Sequence, residues 1–168
     1  MSQTEELYSD EIYNKKMLEA FVAKPEKIFW YQSAFSKFNI NGIDAMKWKW
    51  SWWAFFGGAA FLLYRKQYLP ALILFIVSII TSFIPLVPII VSILAGGYST
   101  YFVYKGYKSS LLEIEAAISD KETRIDTMKQ IGGYHSWVIW IYIAFVSLIL
   151  ISVIAAIAIP AIAASNLQ

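Results

Sequence analysis

The sequence predicts an all-α membrane protein with three transmembrane helices, a short aromatic re-entrant or tilted membrane helix, and cytoplasmic helices. Three observations carry this. Of 168 residues, 58% are apolar and 15% charged, against about 45–50% and about 25% in soluble domains. The apolar residues are gathered into long runs, and crossing a bilayer as a helix takes about 20 of them. Every Lys, Arg, Asp and Glu falls within residues 1–66 or 105–129.

Residues 1–47 hold seven acidic and six basic residues and form a cytoplasmic N-terminal helical region. Ser9–Ala23 has helix-forming composition, although its apolar positions do not gather on one face. Pro25 ends that helix or starts the next. Glu26–Phe38 carries a helical stripe of Ile28, Phe29, Tyr31, Phe35 and Phe38. Asn39 to Gly42 is turn chemistry. The region is too small to be stable without leaning on something else. The start, "MSQTEELYSDEIYNKK", is acidic and lacks a positive n-region followed by an apolar core, so no cleavable signal peptide is expected.

Residues 48–104 are expected to hold the aromatic segment and a transmembrane hairpin. In "KWKWSWWAFFGGAAFLLYRKQ" (47–67), the stretch Ser51–Tyr64 is about 21 Å long as a helix, against about 30 Å of hydrocarbon. Lys47 and Lys49 flank it on one side, Arg65 and Lys66 on the other. Both flanks obey the positive-inside rule only if both are cytoplasmic. The segment then enters and returns with Gly57-Gly58 at its deepest point; a tilted full span is the alternative. Trp48, Trp50, Trp52, Trp53, Tyr64, Arg65 and Lys66 are the expected membrane-interface anchors. The spans Leu69–Ile84 and Leu86–Tyr104 follow, joined by a turn at Pro85–Pro88 expected on the outside.

Residues 105–135 are expected as a cytoplasmic amphipathic helix. Leu111, Ile114, Ile118, Ile125 and Met128 fall on an a/d seam broken at Lys121, and Ser119-Asp120-Lys121-Glu122 resembles a capping box where the helix restarts. The seam covers the chain's own N-terminal region or serves as an interaction surface for a partner. Residues 136–168 are a C-terminal transmembrane helix, Trp137–Pro160, and a short tail expected outside. With this topology all 14 Lys and Arg lie in the cytoplasm. Small residues at four-residue spacing, Ser92, Gly96 and Thr100 and then Ser152 and Ala156, predict close helix packing.

The chemistry excluded is as informative. A net charge of +2 is too small to argue for nucleic acid. The absence of cysteine removes disulfides and thiolate metal sites, and the one histidine, His135, has no second ligand beside it. No nucleotide-binding, hydrolase or metalloprotease motif occurs. No ionisable residue sits in an expected span, which argues against a pump or coupled transporter. No catalytic, cofactor-binding or metal site is assigned. The partners expected are membrane lipid and a protein partner or second copy of the chain.

Trp50, Trp53, Ala54, Phe55, Phe56, Gly57, Leu63, Tyr64, Arg65, Lys66 and Tyr68 follow, allowing for spacing, the pattern W-N-W-A-A-F-F-F-G-P-x-W-x-L-Y-R-K-M-Y. The chain thereby resembles, over roughly residues 18–108, a bacterial family of small inner-membrane proteins of unknown function. Lys49 stands for the Asn of that pattern and Gly58 for its Pro. The resemblance implies an inner-membrane location and no activity. The tail "SVIAAIAIPAIAAS" is similar to the hydrophobic helix of type IV pilins, but nothing before it resembles a prepilin cleavage site and no pilin head follows. The function expected is a non-enzymatic inner-membrane accessory subunit or scaffold acting through its cytoplasmic face. The alternatives are a membrane-embedded binder or carrier of lipid or apolar ligand and, more weakly, a pilin-related assembly component.

Overall fold

The computed structural model describes residues 3–40 and 42–165; Asn41 of the expected turn and residues 166–168 of the expected tail lie outside them. The described chain is mostly helical. Its helices are α1 (Gln3–Val22), α2 (Ile28–Phe38), α3 (Trp52–Gly57), α4 (Ala59–Tyr64), α5 (Tyr68–Thr81), α6 (Val87–Ala117), α7 (Lys121–Ile131) and α8 (Ser136–Ser165). A two-residue antiparallel pair, β1 (Asn39–Ile40) and β2 (Ile43–Asp44), follows α2. Contacts divide the chain into two units, Met1–His135 and Ser136–Gln168.

In the first unit, α1, α2, α7 and the second half of α6 enclose an aromatic core. Helix α1 ends where Ala23 takes a positive φ of 52°, and a 3-10 turn at Pro25–Lys27 leads into α2. Helix α2 buries Ile28, Tyr31, Ala34, Phe35 and Phe38, a spacing that keeps one face inward. Phe35 stacks on Tyr107 at 5.5 Å and meets Tyr104 edge-on at 5.4 Å, while Phe38 meets Tyr101 at 5.4 Å. Such pairs add about 0.5–1.5 kcal/mol each beyond the area they bury. Ile114 and Met128 are buried in this core, and Leu111, Ile118 and Ile125 pack against it, so all five seam residues face the chain's own helical domain.

Helix α6 does not stop at Tyr104. It runs unbroken for 31 residues, about 46 Å, because nothing at Lys105 opposes helix: only the polarity changes there. The helix restarts at α7 on an Asp120 cap, whose carboxylate accepts from the Thr123 N–H at 2.7 Å and the Thr123 hydroxyl at 2.6 Å.

Two stretches among the described residues are long and apolar enough to cross a membrane, α6 and Lys121–Pro160, which takes in most of α8. The expectation of three is reduced by α5, which has 14 residues and spans about 21 Å. It ends at Thr81, before the expected end at Ile84. The second unit is α8, 30 residues with Pro160 inside. Its Ser152 and Ala156, expected at a packing row, are exposed.

Candidate functional site

The first unit has a polar end and an apolar end, and the segment 48–66 joins them. Trp48 to Ser51 is extended and lies along α6. The Lys49 N–H donates to the Gly97 carbonyl at 2.9 Å and the Ser51 N–H to the Gly96 carbonyl at 2.8 Å. Extended backbone alternates its side chains, so Trp48 and Trp50 share one face and cover the two glycines. A Cβ on Gly97 would lie 2.5 Å from Trp48 Cε3, and one on Gly96 would lie 2.9 Å from Trp50 Cζ3. The absence of side chains at 96 and 97 is what lets the rings down onto the helix. Trp48 meets Tyr98 edge-on at 5.2 Å, and Trp50 meets Trp52 at 5.1 Å. Gly96 and Thr100 of the expected row are buried, and the neighbours of Gly96 are Trp50 and Phe55. Ser92, the third residue of that row, is half-buried.

Ser51 caps α3, its hydroxyl accepting from the Ala54 N–H at 3.3 Å. Between α3 and α4 stands Gly58 at φ 48°, ψ −123°, a region open to glycine and strained for other residues. The two flanks of Ser51–Tyr64 then return to neighbouring rings of α2. The Lys49 ammonium lies 5.4 Å from the Trp30 ring centre, and the Arg65 guanidinium 4.9 Å from that of Tyr31. The Trp30 and Tyr31 rings are themselves 5.0 Å apart. A segment leaving and coming back to one place is a helical hairpin.

Arg65 and Lys66, expected among lipid headgroups, hold helix ends instead. Arg65 is 3% exposed and donates from Nη1 to the Val22 carbonyl, at the end of α1, at 3.0 Å. Its Nε and Nη2 find no hydrogen-bond partner among the described residues. Its place beside Tyr31 counters the upward pull that burial exerts on that phenol's pKa. Lys66, at φ 59°, donates to the carbonyls of Ile131 at 3.2 Å and of Gly132, at the end of α7. A cation there completes the orphan carbonyls and the helix dipole. Tyr64 stacks on Tyr134 at 5.0 Å, and its carbonyl accepts from the His135 N–H at 2.9 Å. Of the other residues expected as anchors, Trp52 and Trp53 are exposed, Trp48 less so, and Trp50 is half-buried.

Below this junction α5 and the start of α6 form a hairpin with apolar side chains exposed all round, from Leu69 through Phe83 and Leu86 to Leu94. Above it, α1, α2 and α6 border a groove of about 770 Å³. Leu18, Phe35 and Tyr107 line it, with Asn14, Lys15 and Gln32 among its polar residues.

Two features of this site escaped the sequence reading. One is the docking of the tryptophans on Gly96-Gly97. Its signal was the period-two alternation W-K-W-S, which marks an extended run rather than a helix, together with a glycine pair in a helix. The other is the capping role of Arg65 and Lys66, for which the sequence carries no local signal.

Residues 11–118 match the family model described as a protein of unknown function (DUF2628). The match takes in the aromatic segment, α5 and α6 and stops short of α7 and α8. No curated protein and no solved structure matches the chain.

Proposed function

The chain belongs to the DUF2628 family of proteins of unknown function, and from that premise we propose that it is a non-enzymatic accessory subunit or scaffold of a bacterial cytoplasmic membrane. Its helical domain faces the cytoplasm and its apolar helices face lipid. The observation that carries this is the polarity of the first unit. The groove and every charge lie at one end, and an uncharged hairpin exposed all round lies at the other. A surface of that size and uniformity needs lipid or a partner to cover it. The charge distribution supports a cytoplasmic N-terminus, and α8 supplies a full crossing of about 45 Å at most.

The groove suits a partner rather than a reaction. It is open, has an apolar floor and a polar rim, and is built from rigid helices, as helix-in-groove recognition requires. The test is the mass of the protein extracted in mild detergent, compared between the parent and Gln32→Trp, which fills the groove. A stoichiometric protein complex lost in the variant, with thermal stability unchanged, is the expected result. A complex that survives the substitution, or a chain that carries only lipid, refutes the reading.

A further inference from the structure

We propose that the α5–α6 hairpin is a wedge. It enters the leaflet nearest the helical domain and turns back inside the hydrocarbon, so the partner of this surface is the acyl-chain layer of one leaflet. The proposal rests on the membrane reading above and replaces the two crossings expected of residues 69–104.

Length is the first argument. The hydrocarbon of a bilayer is about 30 Å thick, hence about 15 Å per leaflet. Helix α5 supplies 14 residues, about 21 Å. On α6 the depth is set by the aromatic rings around Tyr98, since Trp and Tyr favour the headgroup level. Val87 to Tyr98 is twelve residues, about 18 Å. Both arms reach the midplane or slightly beyond, and neither reaches the far headgroups. Helix α6 is long enough to cross, but Ala95–Tyr104 is largely buried in the protein, and Lys105 and Lys108 follow. Most of its length lies inside the domain.

The tip is the second argument. It reads Ser82-Phe83-Ile84-Pro85-Leu86-Val87-Pro88, and Phe83 is 86% exposed. A turn in water is built from Asn, Asp, Gly and Ser; this one presents Phe, Ile and Leu. Its hydroxyls are satisfied by its own helix. Ser78 donates to the Leu74 carbonyl, Thr81 to that of Val77 and Ser82 to that of Ile79, each at 2.7 Å. Irregular backbone is normally excluded from hydrocarbon because its polar groups go unpaired. Here the N–H groups of Ser82, Ile84, Val87 and Ile90 bond within the turn, and Pro85 and Pro88 have none. Four N–H groups of the tip are thus satisfied by its own backbone, without water.

The test uses the full-length chain, which has no native cysteine. Phe83→Cys and Leu86→Cys probe the tip, and Ser36→Cys on α2 is the domain control. Each is treated with a membrane-impermeant maleimide in spheroplasts and in inside-out vesicles, and then after denaturing solubilisation. The expected pattern is tip cysteines that react in neither preparation and react fully once solubilised, with Ser36→Cys reacting only in inside-out vesicles. Labelling of the tip in spheroplasts shows a crossing hairpin; it overturns the wedge and leaves the membrane reading standing. Labelling of the tip in inside-out vesicles at the rate of Ser36→Cys overturns both. A nitroxide on Phe83→Cys separates lipid from protein cover. High oxygen access with low access to a nickel chelate supports the wedge, and low access to both overturns it.

Discussion

Alanine at Gly97 tests whether the aromatic segment is locked onto α6. The new Cβ would stand 2.5 Å from Trp48 Cε3, where carbon atoms settle at about 3.5–4.0 Å. The ring must retreat by about 1 Å, yet it is held edge-on by Tyr98 and flanked by Trp50 at 6.0 Å. Overpacking of this kind costs about 1–3 kcal/mol. If the strand lifts instead, the bonds from Lys49 and Ser51 to the glycine carbonyls go with it, at about 1 kcal/mol each. Alanine recovers up to about 1 kcal/mol of helix propensity, so by either route a net loss of about 1 kcal/mol is expected. That lowers Tm by about 2–4 °C for a chain of this size. The assay is tryptophan emission on heating in detergent micelles, with Gly106→Ala as control. There the atoms nearest the new Cβ belong to the side-chain amide of Gln67, which can swing away, so Tm should hold or rise slightly. A Gly97→Ala protein with the parent's Tm and emission maximum refutes the docking.

Gly58→Ala meets open space but a backbone at φ 48°, so strain alone should cost about 1–3 kcal/mol; the melting curve reads it. Lys66→Met removes the cation from the end of α7 and should cost about 1 kcal/mol, with hydrogen exchange accelerated at Met128–Ile131 and unchanged in α2. Asp44 accepts from the Lys108 ammonium at 2.7 Å and from the Tyr104 hydroxyl at 2.6 Å, and these bonds, led by that to Lys108, hold its carboxyl below the ordinary value. A depressed pKa contributes stability that is present above the unfolded value, near 3.8, and is lost as pH falls through the folded one. Asp44→Asn should therefore flatten the acid limb of a stability–pH profile below that value and leave its shape near neutrality unchanged.

The long-range features separate from the local ones when sequence and structure are set side by side. The buried stripe of α2 and the restart near Asp120 are written within a few residues, in helical periodicity and a capping side chain. The charges at its flanks left Ser51–Tyr64 open between a re-entrant segment and a tilted span; the structure makes it two short helices whose flanking Lys49 and Arg65 lie against adjacent rings of α2. The seat of Trp48 on Gly97 depends on residues 49 apart, and no window along the chain contains both. The role of Arg65 was misjudged for a related reason: a basic residue after an apolar run has the same local appearance whether it meets a phosphate or the carbonyl of Val22. The end expected at Tyr104 follows the change in polarity, which does not end the helix itself. Backbone continues where hydrogen bonding continues, and α6 continues to Ala117.

That continuity has a mechanical consequence. A single helix without hinge or proline beyond its first turn joins the apolar tip at Val87 to Ile114 in the core of the domain. Helices resist bending over such lengths, so rotation at one end is carried to the other. A tilt of about 10° sweeps the far end of a rod about 46 Å long through about 8 Å. Helix α6 is thus a lever whose short arm carries the apolar hairpin and whose long arm carries one wall of the groove.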